Sequence, residues 1–311
     1  MILNLLHLIN LHIIPIYFYT SLFYNLLKAV PFHSPLPNIA PACWMETTVR
    51  VMEHSLVHTK TPRPVCMPHS SAPQNQTTGS DSVVWKDFPQ AALLNLVTTE
   101  IVRNFARPLQ DDNRRVHAPT LFAALGSVCG FAAQTSLLAL IHSGQRPEQD
   151  IMAHTLAGGR TFLFGEQLNQ LLMQGDASVH NPGLWPCLSG PALQNGCSAQ
   201  DLPDLNAQFA SVASRLGTAE EGMPDVEAHF RPLIATENLR EAMWAYVEPI
   251  FQQDYPDQPG PYGPLPKPFW GSAMTVATGM LFNTMFKIMD TRIAMTIILQ
   301  SAIFGSKIIE A

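Results

Sequence analysis

Residues 269–309 read FWGSAMTVATGMLFNTMFKIMDTRIAMTIILQSAIFGSKII, a long apolar stretch that decides the fold. The charged residues that interrupt it are Lys287, Asp290, Arg292 and Lys307. Its apolar residues recur at helical spacing and do not alternate as in a half-exposed strand, which predicts helices. Asp290 is an N-cap candidate, because its carboxylate can accept the free N–H groups of a helix that begins at Thr291. The stretch predicts two helices joined at residues 289–290, or one kinked helix, as the central layer on which earlier helices pack.

The length of this stretch also raises the question of a membrane span. Its uncharged run over residues 268–286 reaches the roughly 18 residues that such a span needs. The polar residues within that run are Ser272, Thr275, Thr278, Asn283 and Thr284. The second run, 293–306, is shorter, and apolar runs of about 10–14 residues are more typical of buried core helices. We therefore expect a soluble helical core.

Small residues form a stripe on one face of the same stretch. Gly271, Thr275, Gly279 and Asn283 are spaced by four, and in the apolar segment 118–141 the residues Ala123, Gly126, Gly130 and Ala133 lie together. Small residues at this spacing allow two helix backbones to approach closely. A glycine inside a helix costs about 1 kcal/mol relative to alanine, which indicates a packing role. We expect residues 126–130 and 271–279 to meet where the two helices cross.

Other segments complete an all-α prediction. Helical periodicity predicts a helix near Pro89 with Leu93, Val97, Ile101 and Phe105 on its buried face, and further helices over 158–175, over 202–216 and after a Thr236 cap. Residues 176–198 read as irregular or as a broken short helix, and residues 252–268 as a stiff proline-rich connector with two PxxP motifs, 256–259 and 261–264. The prediction is a single orthogonal or bundle-like helical domain of about six to eight helices over residues 82–311.

Residues 1–81 are predicted to be a poorly ordered N-terminal extension. Its first part, 1–32, is apolar with no charge before Lys28, and the remainder is rich in proline, serine and histidine without periodicity. A secretory signal would carry a basic region before the apolar one, and none is present. Residues 1–27 could nevertheless act as an anchor or signal, so they are the only segment from which we expect any membrane contact.

The same extension contains a candidate metal site. His54 and His58 are four residues apart and share a face if the segment is helical, and Cys66 and His69 follow. Imidazole and thiolate ligands suit zinc. The surrounding sequence is of low complexity, so chance clustering is the preferred interpretation, and we expect no bound metal or other cofactor.

Composition excludes some classes of function. The net charge is −6, and the one pair of adjacent basic residues is Arg114-Arg115. The sequence therefore lacks the basic stripe that is typical of a nucleic-acid-binding protein. The chain has five cysteines, an odd number, and no CxxC motif, so a framework of disulfides is not expected. This favours a reducing compartment and a cytoplasmic location. Charged residues make up only 14% of the chain, against about 25% in a typical soluble domain. This low fraction indicates extensive buried surface or an apolar partner.

The candidate catalytic residues are Arg114, Arg115, His117 and Glu166. The first three belong to QDDNRRVH, residues 110–117, which is the most charged patch of the chain and precedes an apolar helix. A polar loop is the preferred reading. The alternative is an anion or acid–base site at the helix N-terminus. Glu166 is expected on a polar helix surface.

Two functions follow from these observations. The preferred hypothesis is a non-enzymatic helical module that binds an apolar small molecule or a partner helix, because the chain combines low charge, thirteen methionines and a stripe of small residues. The alternative is an enzyme with its site near Arg114, Arg115 and His117. A deep pocket in which these side chains converge would favour the enzyme, and a continuous apolar groove would favour the binding module.

Overall fold

Helices dominate the structure, as the sequence predicts. The computed structural model describes residues 89–156, 158–255 and 263–309. Helical residues make up 64% of this part of the chain, which contains one sheet of two strands. The prediction of an all-α fold is confirmed. The extension 1–81 with its candidate metal ligands His54, His58, Cys66 and His69 lies outside the described residues, and both PxxP motifs overlap the undescribed residues 256–262.

The described residues form eight α-helices and one β-hairpin. The helices are α1 (Pro89–Asn104), α2 (Ala118–His142), α3 (Glu166–Met173), α4 (Leu184–Gln194), α5 (Leu205–Arg215), α6 (Thr236–Gln252), α7 (Trp270–Thr284) and α8 (Thr291–Gly305). The strands β1 (Met152–Thr155) and β2 (Thr161–Phe164) pair antiparallel, with Met152 opposite Phe164 and His154 opposite Phe162. Short 3₁₀ turns connect several of the helices.

The central helix is α2, which is apolar on all sides. A helix of this kind must be buried all round, and α2 contacts α8, α7, α6 and α3. It is the one helix of the described residues that is long and apolar enough to cross a membrane, but most of its surface is covered by other parts of the protein. Both α7 and α8 pack on α2 more extensively than on each other. The C-terminal stretch therefore forms the layer around α2 and is not itself the centre.

Residues 126–130 and 271–279 meet as predicted, since Cys129 Sγ lies 3.6 Å from Thr275 Oγ1, but the glycines of α2 face α8. A Cβ at Gly130 would overlap the carbonyl oxygen of Ala302, and a Cβ at Gly126 would overlap that of Ile298. Gly271 of α7 also packs closely on α2, where an added Cβ would lie 3.0 Å from Ala133 Cα. Gly279 faces Cys187 of α4. The glycine spacing in α2 correctly predicted a close contact between helices. It could not show which helix packs on these glycines, because α7 and α8 both contain small residues.

The start of α8 agrees with its prediction. Asp290 is the N-cap, and its Oδ1 accepts a hydrogen bond of 3.0 Å from Ile293 N. The preceding helix ends at Thr284, so the joint is a short turn and not a kink. The predicted buried face of α1 is also confirmed, since Leu93, Val97, Ile101 and Phe105 are all buried.

Asp290→Ala is expected to lower the free energy of unfolding by about 1 kcal/mol, because the first turn of α8 loses an acceptor for an otherwise unpaired N–H group. Asp290→Asn is the matched control, since asparagine caps about as well as aspartate. Urea denaturation of the three proteins measures the difference. Equal stability of Asp290→Ala and the parent chain would contradict a stabilising cap.

Residues 158–175 are not a single helix as predicted. Thr161–Phe164 forms β2, and α3 begins only at Glu166, after Gly165. The sequence TFLF is rich in residues that fit a strand, and pairing on both edges of β2 decides the outcome. β1 occupies one edge, and on the other Leu163 N donates to Lys307 O at 2.8 Å. Lys307 is 144 positions further along the chain, so no local pattern contains this information.

Two smaller predictions are also corrected. Residues 184–194 form the regular helix α4 with Pro191 inside it, where an irregular or broken segment was expected. Thr236 is the first residue of α6 and not its cap, a position that Ala235 holds. The Thr236 side chain is fully buried and lies 3.4 Å from Ser301 Oγ of α8. Its hydroxyl therefore contributes to packing between helices.

Candidate functional site

The charged loop before α2 is a tight, closed turn. Gln110 and Val116 form an isolated antiparallel bridge, and Arg114 N donates to Asp111 O at 2.8 Å. Asp111 also accepts from the backbone and side chain of Arg115, each at 2.8 Å. These hydrogen bonds hold the pKa of the Asp111 carboxyl below its usual value. The preferred reading, a polar loop, is confirmed, and Arg115 is engaged within it.

The other predicted residues of this loop differ in their surroundings. Arg114 is exposed and has a φ of 58°. His117 is half-buried and precedes α2, and its Nδ1 lies 2.9 Å from Thr120 Oγ1. The same hydroxyl oxygen accepts from Leu233 N at 3.0 Å, which fastens the loop before α6 to the start of α2. Burial lowers the pKa of His117, so the neutral imidazole is favoured and can accept a hydrogen bond from the Thr120 hydroxyl.

Glu166 does not belong to this loop. It begins α3, and its side chain is exposed. In the hydrophobic cluster of α3, Leu168 and Leu171 join Leu137 and Leu140 of α2. Because a helix rises about 1.5 Å per residue, that cluster is roughly 30 Å along α2 from His117. The four candidate catalytic residues therefore do not converge, although a catalytic role for any one of them stays a prediction.

The most unusual titratable group is Lys307, which sequence reasoning did not select. It follows α8, is only 4% exposed, and has no ion pair with a described residue. Its Nζ lies 3.4 Å from Asn169 Oδ1 and 4.9 Å from the centre of the Phe164 ring. Burial lowers the pKa of this amine to about 8. The signal in the sequence was a lone lysine inside an apolar run, a pattern that also fits a side chain reaching out to water.

Two cysteines, the buried Cys129 and the half-buried Cys187, lie at the contacts of α7. Cys129 Sγ is 3.6 Å from Thr275 Oγ1, and Cys187 packs against Gly279. Burial raises the pKa of Cys129 to about 11 and that of Cys187 to about 12. Thiols with pKa values this high stay protonated at neutral pH and are poor nucleophiles. They act as small core residues.

The best-defined concavity in the described residues is small. Its cavity volume is about 10 Å³, and it lies between α5, the loop after it and α8, where Val212, Gly222, Gln300 and Phe304 contribute to its lining. Ligand pockets usually have about 300–1,000 Å³. The predicted site residues do not line it, and the described residues contain no group of three or more metal-ligating side chains.

Exposed apolar side chains occur together in the loop before α6. Leu233 is 74% exposed and Ile234 is 45% exposed, while Pro232 before them is buried. The hydrogen bond from Leu233 N to Thr120 fixes the backbone of this pair against α2. Single exposed aliphatic residues are common on protein surfaces, but an adjacent pair on a fastened loop is a candidate contact surface.

Comparisons with known proteins add no relative to this description. No protein-family description, no curated protein and no solved structure matches the chain.

Proposed function

We propose that this protein is a non-enzymatic helical module that binds a partner protein through a helical segment of that partner. The supporting observation is the exposed pair Leu233 and Ile234, held in place by the Leu233–Thr120 hydrogen bond. Burial of one leucine or isoleucine side chain contributes about 1.5–3 kcal/mol, so this pair can supply a substantial part of a binding energy. The backbone is already fixed, which reduces the entropy lost on binding.

A partner helix is favoured over an apolar small molecule. The concavity has a volume of about 10 Å³, far below the usual size of a ligand pocket, and Arg215 lines part of it. The small-residue stripes that motivated an apolar binding surface are already occupied, because Gly126 and Gly130 pack on α8 and Gly279 packs on α4. Among the large exposed apolar side chains of the described residues, Leu233 and Ile234 are the adjacent pair that is left for a partner.

The enzymatic alternative has less support. Arg115 is bound by Asp111. Glu166 begins α3, which packs near the C-terminal end of α2, whereas His117 precedes the N-terminal end. General acid–base catalysis needs groups within hydrogen-bond reach of one reacting site. Arg114, His117 and Glu166 do not form such a set.

The binding proposal is tested by the double substitution Leu233→Ser with Ile234→Ser. Proteins that co-purify with the full-length chain after mild cross-linking are quantified for the parent and the variant. We expect at least a tenfold loss of one partner, because two apolar contacts are removed. The matched control is Met152→Ser with Leu193→Ser, which changes two exposed apolar residues elsewhere. Equal recovery from all three proteins, or equal loss in both variants, would refute this contact surface.

A cytoplasmic location is part of the same proposal, and it rests on cysteine usage in the sequence. Residues 1–27, which could act as an anchor or signal, lie outside the described residues. Expression of residues 82–311 beside the full chain distinguishes the possibilities. If only the full chain sediments with membranes, the anchor lies within residues 1–81, which contain the candidate segment 1–27.

A further inference from the structure

Residues 306–309, here called the C-terminal strap, extend the β-hairpin. Lys307 O accepts from Leu163 N at 2.8 Å, and Ile308 forms an antiparallel bridge with Phe162. Gln134 of α2 holds the other side, since its Nε2 donates to Ile308 O at 2.9 Å. The strap therefore acts as a short third strand on the outer edge of β2.

The strap contains its own source of instability. Lys307 is 4% exposed, and its amine has an amide oxygen at 3.4 Å and an aromatic ring at 4.9 Å as neighbours. A buried ammonium group is costly unless a carboxylate or several strong acceptors compensate it. One long hydrogen bond and one cation–π contact compensate it only in part.

Charged groups on the neighbouring elements do not neutralise Lys307. Titratable residues of the adjoining α3 and hairpin include Glu166 of α3, His154 of β1 and Arg160 of the hairpin turn. Glu166 and His154 are exposed and form no ion pair with Lys307, and Arg160 pairs with Glu221 and Glu237. The Lys307 amine is thus governed by desolvation.

We propose that the C-terminal strap is a detachable segment, which leaves β2 without global unfolding and does so more often when the Lys307 amine is charged than when it is neutral. Opening returns the ammonium group to water and regains its hydration. It also frees the Leu163 N–H group and the Gln134 amide, which are the hydrogen-bonding groups along the vacated edge. Segments of low local stability open in this way below the global free energy of unfolding. This inference does not depend on the proposed protein-binding function.

The sign of the pH dependence follows from the two states of the amine. Its pKa is about 8 when the strap is docked and returns towards 10.5 when it is open. The open state therefore binds more protons, and opening becomes less favourable as pH rises from 8 to 10.5. The opening constant should fall about tenfold between pH 7 and pH 9.

Native-state hydrogen exchange of the full chain, read by mass spectrometry and corrected for intrinsic rates, tests the proposal. We expect the Leu163 amide and the peptide over 306–309 to gain about tenfold protection from pH 7 to pH 9. Lys307→Met should give at least tenfold more protection at pH 7 and remove the pH dependence. Lys287→Met, a change at an exposed lysine, is the control and should leave the strap unaffected. Identical exchange of the strap in the parent and Lys307→Met would overturn the proposal.

A second variant tests the charge directly. Asn169→Asp places a carboxylate of nearly the same shape beside the Lys307 amine, so it should protect the strap at pH 7 and flatten the change up to pH 9. Gln170→Glu makes the same change in charge at an exposed position of α3 and is the control. Unchanged or reduced strap protection in Asn169→Asp would show that the Lys307 charge does not control opening.

Discussion

Gly130→Ala is expected to lower the free energy of unfolding by about 3 kcal/mol, although alanine is the better helix former. The added Cβ would overlap the Ala302 carbonyl oxygen and lie 2.8 Å from Ser306 N. Both are backbone atoms of the α8 region, so no side-chain rotation relieves the clash. The helices α2 and α8 must separate, and that separation loosens the most extensive helix contact of the described fold.

Two alanine substitutions provide a graded control. At Gly271 the nearest atom to an added Cβ is Ala133 Cα at 3.0 Å, so a smaller loss is expected. At Gly158 no atom lies within 4 Å, and stability should be unchanged. Thermal and urea denaturation of the three variants measures the order. If Gly130→Ala were as stable as Gly158→Ala, α2 and α8 could not approach as closely as described.

Lys307→Met is expected to raise the free energy of unfolding at pH 7 by about 2 kcal/mol. The lowered pKa of about 8, against 10.5 for a free lysine, means that folding penalises the charged amine. Each pKa unit corresponds to about 1.4 kcal/mol, and the lost contacts with Asn169 and Phe164 offset part of the gain. Methionine has a similar shape and fills the same space without charge.

The advantage of Lys307→Met should depend on pH. Below pH 8 the amine is protonated in both the folded and the unfolded chain, so the penalty is present in full. Between pH 8 and 10.5 the unfolded chain binds more protons, and the parent gains stability relative to the variant as pH rises. Cys129 and Cys187 act in the opposite direction above pH 9, because burial raises their pKa values. Their contribution cancels when the parent and variant are compared at each pH.

Urea denaturation of the parent, Lys307→Met and Lys287→Met at pH 7, 8, 9 and 10 measures this difference. The Lys287→Met control should follow the parent, since Lys287 is exposed. A Lys307→Met variant that is less stable than the parent at pH 7 would contradict an uncompensated buried amine. A constant difference across the series would contradict the lowered pKa.

Local sequence was sufficient for most of the helices. The buried face of α1, the helical C-terminal stretch and the Asp290 cap were predicted correctly, because spacing and capping act within a few residues. The polar loop at residues 110–117 was also predicted, since its hydrogen bonds are local. The candidate site was harder to predict. Arg114, Arg115 and His117 lie in one loop by sequence, but no local pattern shows that Glu166 is distant from them.

By itself, then, the sequence determined an all-α protein with apolar C-terminal helices, small residues at close helix contacts and a capped α8. The tertiary structure decided which helix is central, that Gly126 and Gly130 face α8, that Thr161–Phe164 is a strand and that Lys307 is buried. The physical reason is the range of the interactions. Periodicity and capping join residues one or two helical turns apart, whereas the pairing of β2 with the C-terminal strap, the packing of Gly130 on α8 and the burial of Lys307 against Asn169 join segments more than a hundred residues apart.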